Sequence, residues 1–175
     1  MKYVGKDVII GKTVRFRHPQ FCSIDDFSII DDFAYISTKF KMGTNSHISS
    51  HLTIGGGVDY MFEMGDLSSL SAGVKIWCST DDYVNDIIAV QAKHVKDKII
   101  GGDVVMKDFT GVGANSVILP NTVISEGSAV GALSLVLPNS ILKPWVVYAG
   151  IPAKPIKKRN KENVLLQARR LNYKI

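Results

Sequence analysis

The sequence predicts an all-β solenoid, a parallel β-helix of hexapeptide repeats, and three observations lead there. An aliphatic or bulky apolar residue returns at every sixth position through Ile100, Met106, Val112, Ile118, Ile124, Val130, Val136, Leu142 and Tyr148. The fifth position of each hexad is small or β-branched, as at Thr110, Ser116, Thr122, Ser128, Ser134 and Ser140. Glycine follows the apolar residue at Gly101, Gly113 and Gly131. A period of six fits neither an amphipathic helix nor an alternating strand, but it fits a coil in which each repeat makes one short strand and one turn.

Three hexads close one triangular coil, so residues eighteen apart, such as Ile100, Ile118 and Val136, are expected to stack in one interior column. The small fifth positions fill the narrow corners. Asn115, Asn121 and Asn139 tolerate turn conformations that most residues resist, and Pro120 and Pro138 stand where no ladder donor is needed.

Taken in order, Val4, Ile10 and Phe16 supply the first coil. The register slips by two at Arg17-His18-Pro19-Gln20, which reads as a bulge at a corner. Ile24, Ile30, Ile36, Met42, Ile48 and Ile54 resume it, and Gly55-Gly56-Gly57 opens a four-residue insertion before Met64, Leu70 and Ile76. Residues 77–99 keep no hexad pattern and form an excursion loop, a feature more often functional than accidental inside a repeat fold. After Tyr148, Pro152 and Pro155 end the repeat. Asn160 then caps a short C-terminal helix reaching about Leu171, with Val164, Leu165 and Ala168 as its apolar side, expected to cover the open end of the solenoid. The division is a solenoid over 1–159 and a helix and tail over 160–175.

A chain of 175 residues with 46% hydrophobic content suits a single domain. Its N-terminus has no apolar run suited to a signal peptide or membrane span, so a cytoplasmic protein is expected. Cys22 and Cys78 give neither a disulfide framework nor a metal spacing and read as reduced thiols. The net charge of +5 is concentrated after residue 153, where Lys154, Lys157, Lys158, Arg159, Lys161, Arg169, Arg170 and Lys174 face only Glu162. That distribution suggests one localised anion site and not a nucleic-acid coat. Arg169 to Lys174 fit a solvated helix face equally well.

The hexads together with VVYAGIPAKPIKKR at 146–159 resemble the hexapeptide-repeat acyltransferases. ISSHLTIGGG and MGDLSSLSAGVKIWCSTDDY resemble, more narrowly, the sugar and galactoside O-acetyltransferase-like branch. The resemblance implies a left-handed β-helix, a homotrimer, and acetyl-CoA lying between adjacent subunits with no metal. Coenzyme A carries a pyrophosphate and a 3′-phosphate, which Lys154, Lys157, Lys158 and Arg159 are suited to receive. Gly113, Ala114, Gly131, Ala132 and Ser134 stand on stacked turns able to line a pantetheine groove. Trp145 packs either on the adenine end or against the last coil.

Acyl transfer needs a group to take a proton from the acceptor, and histidine is the usual one at neutral pH. Among His18, His47, His51 and His94, the pair in SHISSH stands out, with His51 first and His47 second. Asp81 occupies the position where maltose acetyltransferase-like relatives carry a histidine, and an ordinary aspartate is a poor base for a hydroxyl. Either His51 acts, oriented by Asp81 or Asp82, or the acidic pair binds the acceptor through its hydroxyls or amine. Asp82, Tyr83 and His94 are the candidate substrate contacts; Lys93, Lys96 and Lys98 could meet a nucleotide phosphate.

The expected activity is acetyl-CoA-dependent transfer to a sugar hydroxyl or amino group, on a glycan, a lipopolysaccharide precursor or a nucleotide-amino-sugar, in polysaccharide biosynthesis. The expected partners are coenzyme A and a sugar or nucleotide-sugar, without nucleic acid. Two alternatives stand beside it: a zinc hydratase of the carbonic anhydrase type, using His47, His51 and His94, and a non-catalytic binding solenoid.

Overall fold

A computed structural model describes residues 1–85, 87–88 and 99–173. The chain winds as a left-handed parallel β-helix with one short C-terminal helix. Three columns of inward-facing residues make its core. The first runs Val4, Ile24, Met42, Met64, Met106, Ile124, Leu142. The second runs Ile10, Ile30, Ile48, Leu70, Val112, Val130, Tyr148. The third runs Phe16, Ile36, Ile54, Ile76, Ile118, Val136. From Ile24 to Val136 every one of these side chains is sealed from solvent, whereas Val4 and Ile10 are left exposed at the N-terminal end.

The small fifth positions do fill the corners, as hydrogen-bonded ladders. Ser46 N–H donates to Ser28 Oγ, Ser68 N–H to Ser46 Oγ and Thr110 N–H to Ser68 Oγ, at 3.0–3.1 Å. Each buried hydroxyl thereby ties one coil to the next and leaves no orphaned donor. The corners also force left-handed backbone on residues that rarely adopt it: Phe27, Leu67, Phe109 and Trp145 in one stack, and Phe33, His51 and Leu133 in another, all with φ between 51° and 64°. Such conformations cost about 1–2 kcal/mol each for a residue with a Cβ, a cost offset by the coil-to-coil hydrogen bonds that require them.

Three expectations change, and the four-residue insertion stands as expected. The slip after Phe16 is one 3₁₀ turn, Pro19–Phe21, started by a proline whose missing N–H costs nothing there. The insertion is carried inside a continuous strand, Thr53–Met64: against Tyr35–Met42, Ser37 pairs with Gly55, Thr38 with Gly57 and Lys39 with Met61, so Gly56, Val58, Asp59 and Tyr60 are the extra residues. Ile100 is no interior rung. It is 43% exposed, in a strand Ile99–Gly101 that pairs antiparallel with Ser79–Asp81, and Ile76 stacks directly on Ile118 instead.

The helix, Lys161–Arg170, is capped by Asn160 as expected, its side chain accepting from Asn163 N–H at 3.0 Å. It does not cover the solenoid's end. It climbs a corner: Val164, Ala168 and Leu171 lie beside Leu67 and Phe109, and Tyr173 donates to Asp66 Oδ2 at 2.8 Å while meeting Phe109 edge-on. The exposed aromatic corner offered the helix an apolar seat. The open end is closed by the segment after Tyr148, with Ala153 N–H bonding to Leu135 O and the Tyr148 hydroxyl accepting Lys143 N–H.

Candidate functional site

The excursion leaves the solenoid as an antiparallel pair, Ser79–Asp81 against Ile99–Gly101. Its base is locked by Cys78 N–H to Gly55 O at 2.7 Å and Gly102 N–H to Cys78 O at 2.9 Å. Between this hairpin and the following coils opens a cleft of about 740 Å³. Trp77, Ile99 and Ile100 make one apolar wall, Val117, Leu119 and Pro138 the other, and Ser79, Thr80, Asp81, Asp82 and Tyr83 supply the polar lining. The Trp77 ring fits because Gly55 has no side chain: a Cβ there would lie 2.6 Å from the indole.

The structure thus brings Asp81, Asp82 and Tyr83 to one cleft. Asp82 is occupied in shaping the loop, its Oδ1 accepting Val84 N–H at 2.9 Å and its Oδ2 accepting the Asn85 side-chain amide at 2.8 Å. Tyr83 stands 70% exposed at the mouth. His94, Lys93, Lys96 and Lys98 lie outside the described residues.

His51 and His47 do not line this cleft within one chain. His51 occupies the corner before Thr53–Ile54, with φ 60°, its ring stacked on Phe33 at 4.8 Å. The cleft opens past the opposite end of that face, where Trp77 pairs with Gly55. His47 points outward from the second column's face, its Nε2 2.9 Å from Asp31 Oδ2. That acid partner was missed in the sequence because it sits one coil away. Trp77, Ser79, Thr80, Leu119 and Pro138 were missed as cleft walls; the break of the hexads at Trp77 was their only signal.

The expected donor groove divides. Gly113, Ala114, Gly131 and Ala132 do stand on neighbouring turns, with Gly113 N–H bonded to Val130 O and Leu133 N–H to Ala114 O. A Cβ on Gly113 would lie 2.4 Å from the Ala132 nitrogen, so this residue must be glycine for the coils to stack. Ser134 is a correction: it is 2% exposed, inside a corner, and its Oγ accepts Gly150 N–H, so it faces the core.

Lys154, Lys157 and Lys158 are all exposed on the strand Lys154–Lys158, which runs antiparallel to Val146–Ala149. Arg159 departs from its expected role. Its guanidinium donates to the carbonyls of Phe109 and Gly127, and partial burial lowers its pKa, so it pins the corner and is not held out toward solvent. Trp145 lies over Gly127, near Phe109, with the Lys161 ammonium 5.4 Å from its ring.

Burial pushes the Cys78 thiol up to about 12 and the Cys22 thiol up to about 11, which leaves both unreactive at neutral pH. Among the described residues no three potential ligands converge on a metal position, and no helix is long and apolar enough to cross a membrane.

No protein-family model matches the sequence, and no curated protein is significantly similar to it. Solved structures are. The chain is 33% identical to an aspartate-to-asparagine variant of AntD, an N-acyltransferase from Bacillus cereus, crystallised with dTDP and coenzyme A, over 98% of this chain and 92% of that one, with a TM-score of 0.92. AntD has also been crystallised with dTDP and 3-hydroxybutyryl-CoA (32% identity, TM-score 0.91) and, as a serine variant, with dTDP-4-amino-4,6-dideoxyglucose and coenzyme A. A maltose O-acetyltransferase from Clostridium difficile shares the fold at 20% identity and a TM-score of 0.57, covering 91% of this chain and 70% of that one.

Proposed function

The chain belongs to the hexapeptide-repeat acyltransferases, as a relative of AntD, and we propose that it transfers an acyl group from acyl-CoA to the amino group of a nucleotide-linked amino sugar. The observation that carries the amino-sugar choice is the cleft beside the excursion hairpin, whose polar lining is hydroxyls and carboxylates. Such a lining accepts hydrogen bonds from an amine. It also removes the difficulty posed by the missing histidine. A neutral amine is nucleophilic enough to attack the thioester carbonyl without prior deprotonation.

In this reading the amine nitrogen forms the new C–N bond, and the tetrahedral intermediate collapses by breaking the C–S bond. The surplus proton on nitrogen leaves through Asp81 and ends on the coenzyme A sulphur, giving an amide and a free thiol. Ser79 and Thr80 hydroxyls hold the sugar. The donor lies along the turns at Gly113, Ala114, Gly131 and Ala132, its phosphates toward Lys154, Lys157 and Lys158. Exposed apolar side chains at Ile87, Ile88, Leu137 and Ile141 suit subunit contacts in a homotrimer. His51 and His47 reach a cleft only across such a boundary. The product suits cytoplasmic synthesis of a polysaccharide building block.

The test is thiol release from acetyl-CoA and 3-hydroxybutyryl-CoA with dTDP-4-amino-4,6-dideoxyglucose, with product mass confirming an amide. Turnover with the amino sugar and none with its hydroxyl analogue supports the reading. Turnover with the hydroxyl sugar alone overturns it in favour of O-transfer.

A further inference from the structure

Two of the three interruptions of the hexad pattern touch each other. The extra residue Tyr60, from the insertion in Thr53–Met64, is partly buried against the core, and its ring lies directly on Gly101 at the base of the excursion hairpin. A Cβ on Gly101 would fall 2.2 Å from Tyr60 Cζ. The contact is fixed from both sides: Thr38 Oγ1 donates to Tyr60 O at 2.7 Å, and Met61 N–H donates to Asp103 Oδ1 at 2.8 Å, just beyond the hairpin. On the hairpin's other flank, a Cβ on Gly102 would lie 2.6 Å from Asn121 Cβ. Two glycines are therefore clamped between a coil that precedes the hairpin and a coil that follows it.

Register gives the direction of the clamp. Ile54, Ile76 and Ile118 stack in order, as do Phe62, Val104 and Thr122, so Tyr60 braces the hairpin from the preceding coil while the cleft opens toward Leu119 and Pro138 on the following coils. Tyr60 itself does not line the cleft. Its ring backs Gly101, which pairs with Ser79 on the strand Ser79–Asp81, so the contact bears on the hairpin from the side away from the cleft. A rigid brace of this kind matters because a displacement of about 1 Å in a positioning group can cost up to a hundredfold in rate.

We infer that Tyr60 is a positioning residue that sets the width of the acceptor cleft through Gly101, and so tunes acceptor recognition without touching donor or acceptor. The inference rests on the acceptor cleft being the one beside the hairpin. It assigns a purpose to the four-residue insertion, which the solenoid itself does not need.

The experiment is steady-state kinetics of the full chain and of Tyr60→Ala, Tyr60→Phe and Gly101→Ala, with both substrates varied and the thermal midpoint recorded. Tyr60→Ala is expected to raise the amino-sugar KM about tenfold while leaving the acyl-CoA KM within twofold, and Tyr60→Phe, which keeps the ring, restores the native value. Gly101→Ala, which pushes the hairpin off the ring, reproduces the Tyr60→Ala split. An amino-sugar KM unchanged in Tyr60→Ala, or KM values for both substrates rising together, overturns the inference while the native turnover leaves the acceptor reading standing. Native protein inert toward every amino sugar overturns the acceptor reading, and the inference with it.

Discussion

At the residue scale, chemistry and architecture compete for the same side chains. Asp81 lines the cleft, whereas His51 sits in a left-handed corner stacked on Phe33. Asp81→Asn is therefore expected to lower kcat/KM about a hundredfold, and His51→Ala less than tenfold, with acyl-CoA affinity preserved in both. The reverse pattern in the same assay would place the proton acceptor on a neighbouring subunit. Arg159 ends a run of cations and by that position suits a phosphate, yet partial burial and two carbonyl partners make it a brace. Its replacement by Met should cost about 1.5–3 kcal/mol in chemical denaturation, the range for hydrogen bonds to a charged group. Nothing local in KKR distinguishes the third cation from the first two. Only the return of the chain past the corner does.

At the element scale, the helix Lys161–Arg170 shows what a local pattern can and cannot reveal. Its existence and cap were legible from Asn160 and the spacing of Val164, Leu165 and Ala168; its seat along the Leu67 and Phe109 corner was not. Tyr173 anchors that seat through Asp66, and burial together with this hydrogen bond raises its pKa well above the usual tyrosine value. The folded state thus holds the proton more tightly than the unfolded chain. The contribution is fully present below the unfolded pKa of about 10 and is lost as pH rises through the higher folded value. Hydrogen exchange across the helix should show protection falling above about pH 10, and Tyr173→Phe should remove that alkaline step at a cost of about 1 kcal/mol.

At the scale of the whole molecule, the solenoid gains its stability coil by coil, each apolar rung contacting the one before and after. Ile118→Ala, in the middle of the third column, is expected to cost about 2–5 kcal/mol in denaturant unfolding. The proposed donor site belongs to this scale too, because Lys157 and Lys158 lie on the chain's return strand while Gly113 and Gly131 lie on coils further back. Calorimetry with acetyl-CoA should show the Lys157→Ala, Lys158→Ala double variant binding about tenfold more weakly, with a shallower salt dependence than the native chain. Sedimentation of the native chain should give a trimer.

The sequence by itself determined the repeat, most of the inward set of side chains, the small corners, the three interruptions and the capped helix, because each depends on spacing along the chain and on local backbone chemistry. Tertiary structure alone decided that Ile76 and not Ile100 stacks beneath Ile118, that Ser134 and Arg159 face the protein, that His51 and Asp81 lie apart within one chain, and that Tyr60 meets Gly101. The physical reason is that a solenoid stacks residues separated by 18, 22 or 42 positions according to what is inserted between them. An insertion of uncounted geometry changes every neighbour across it while leaving the pattern on either side intact.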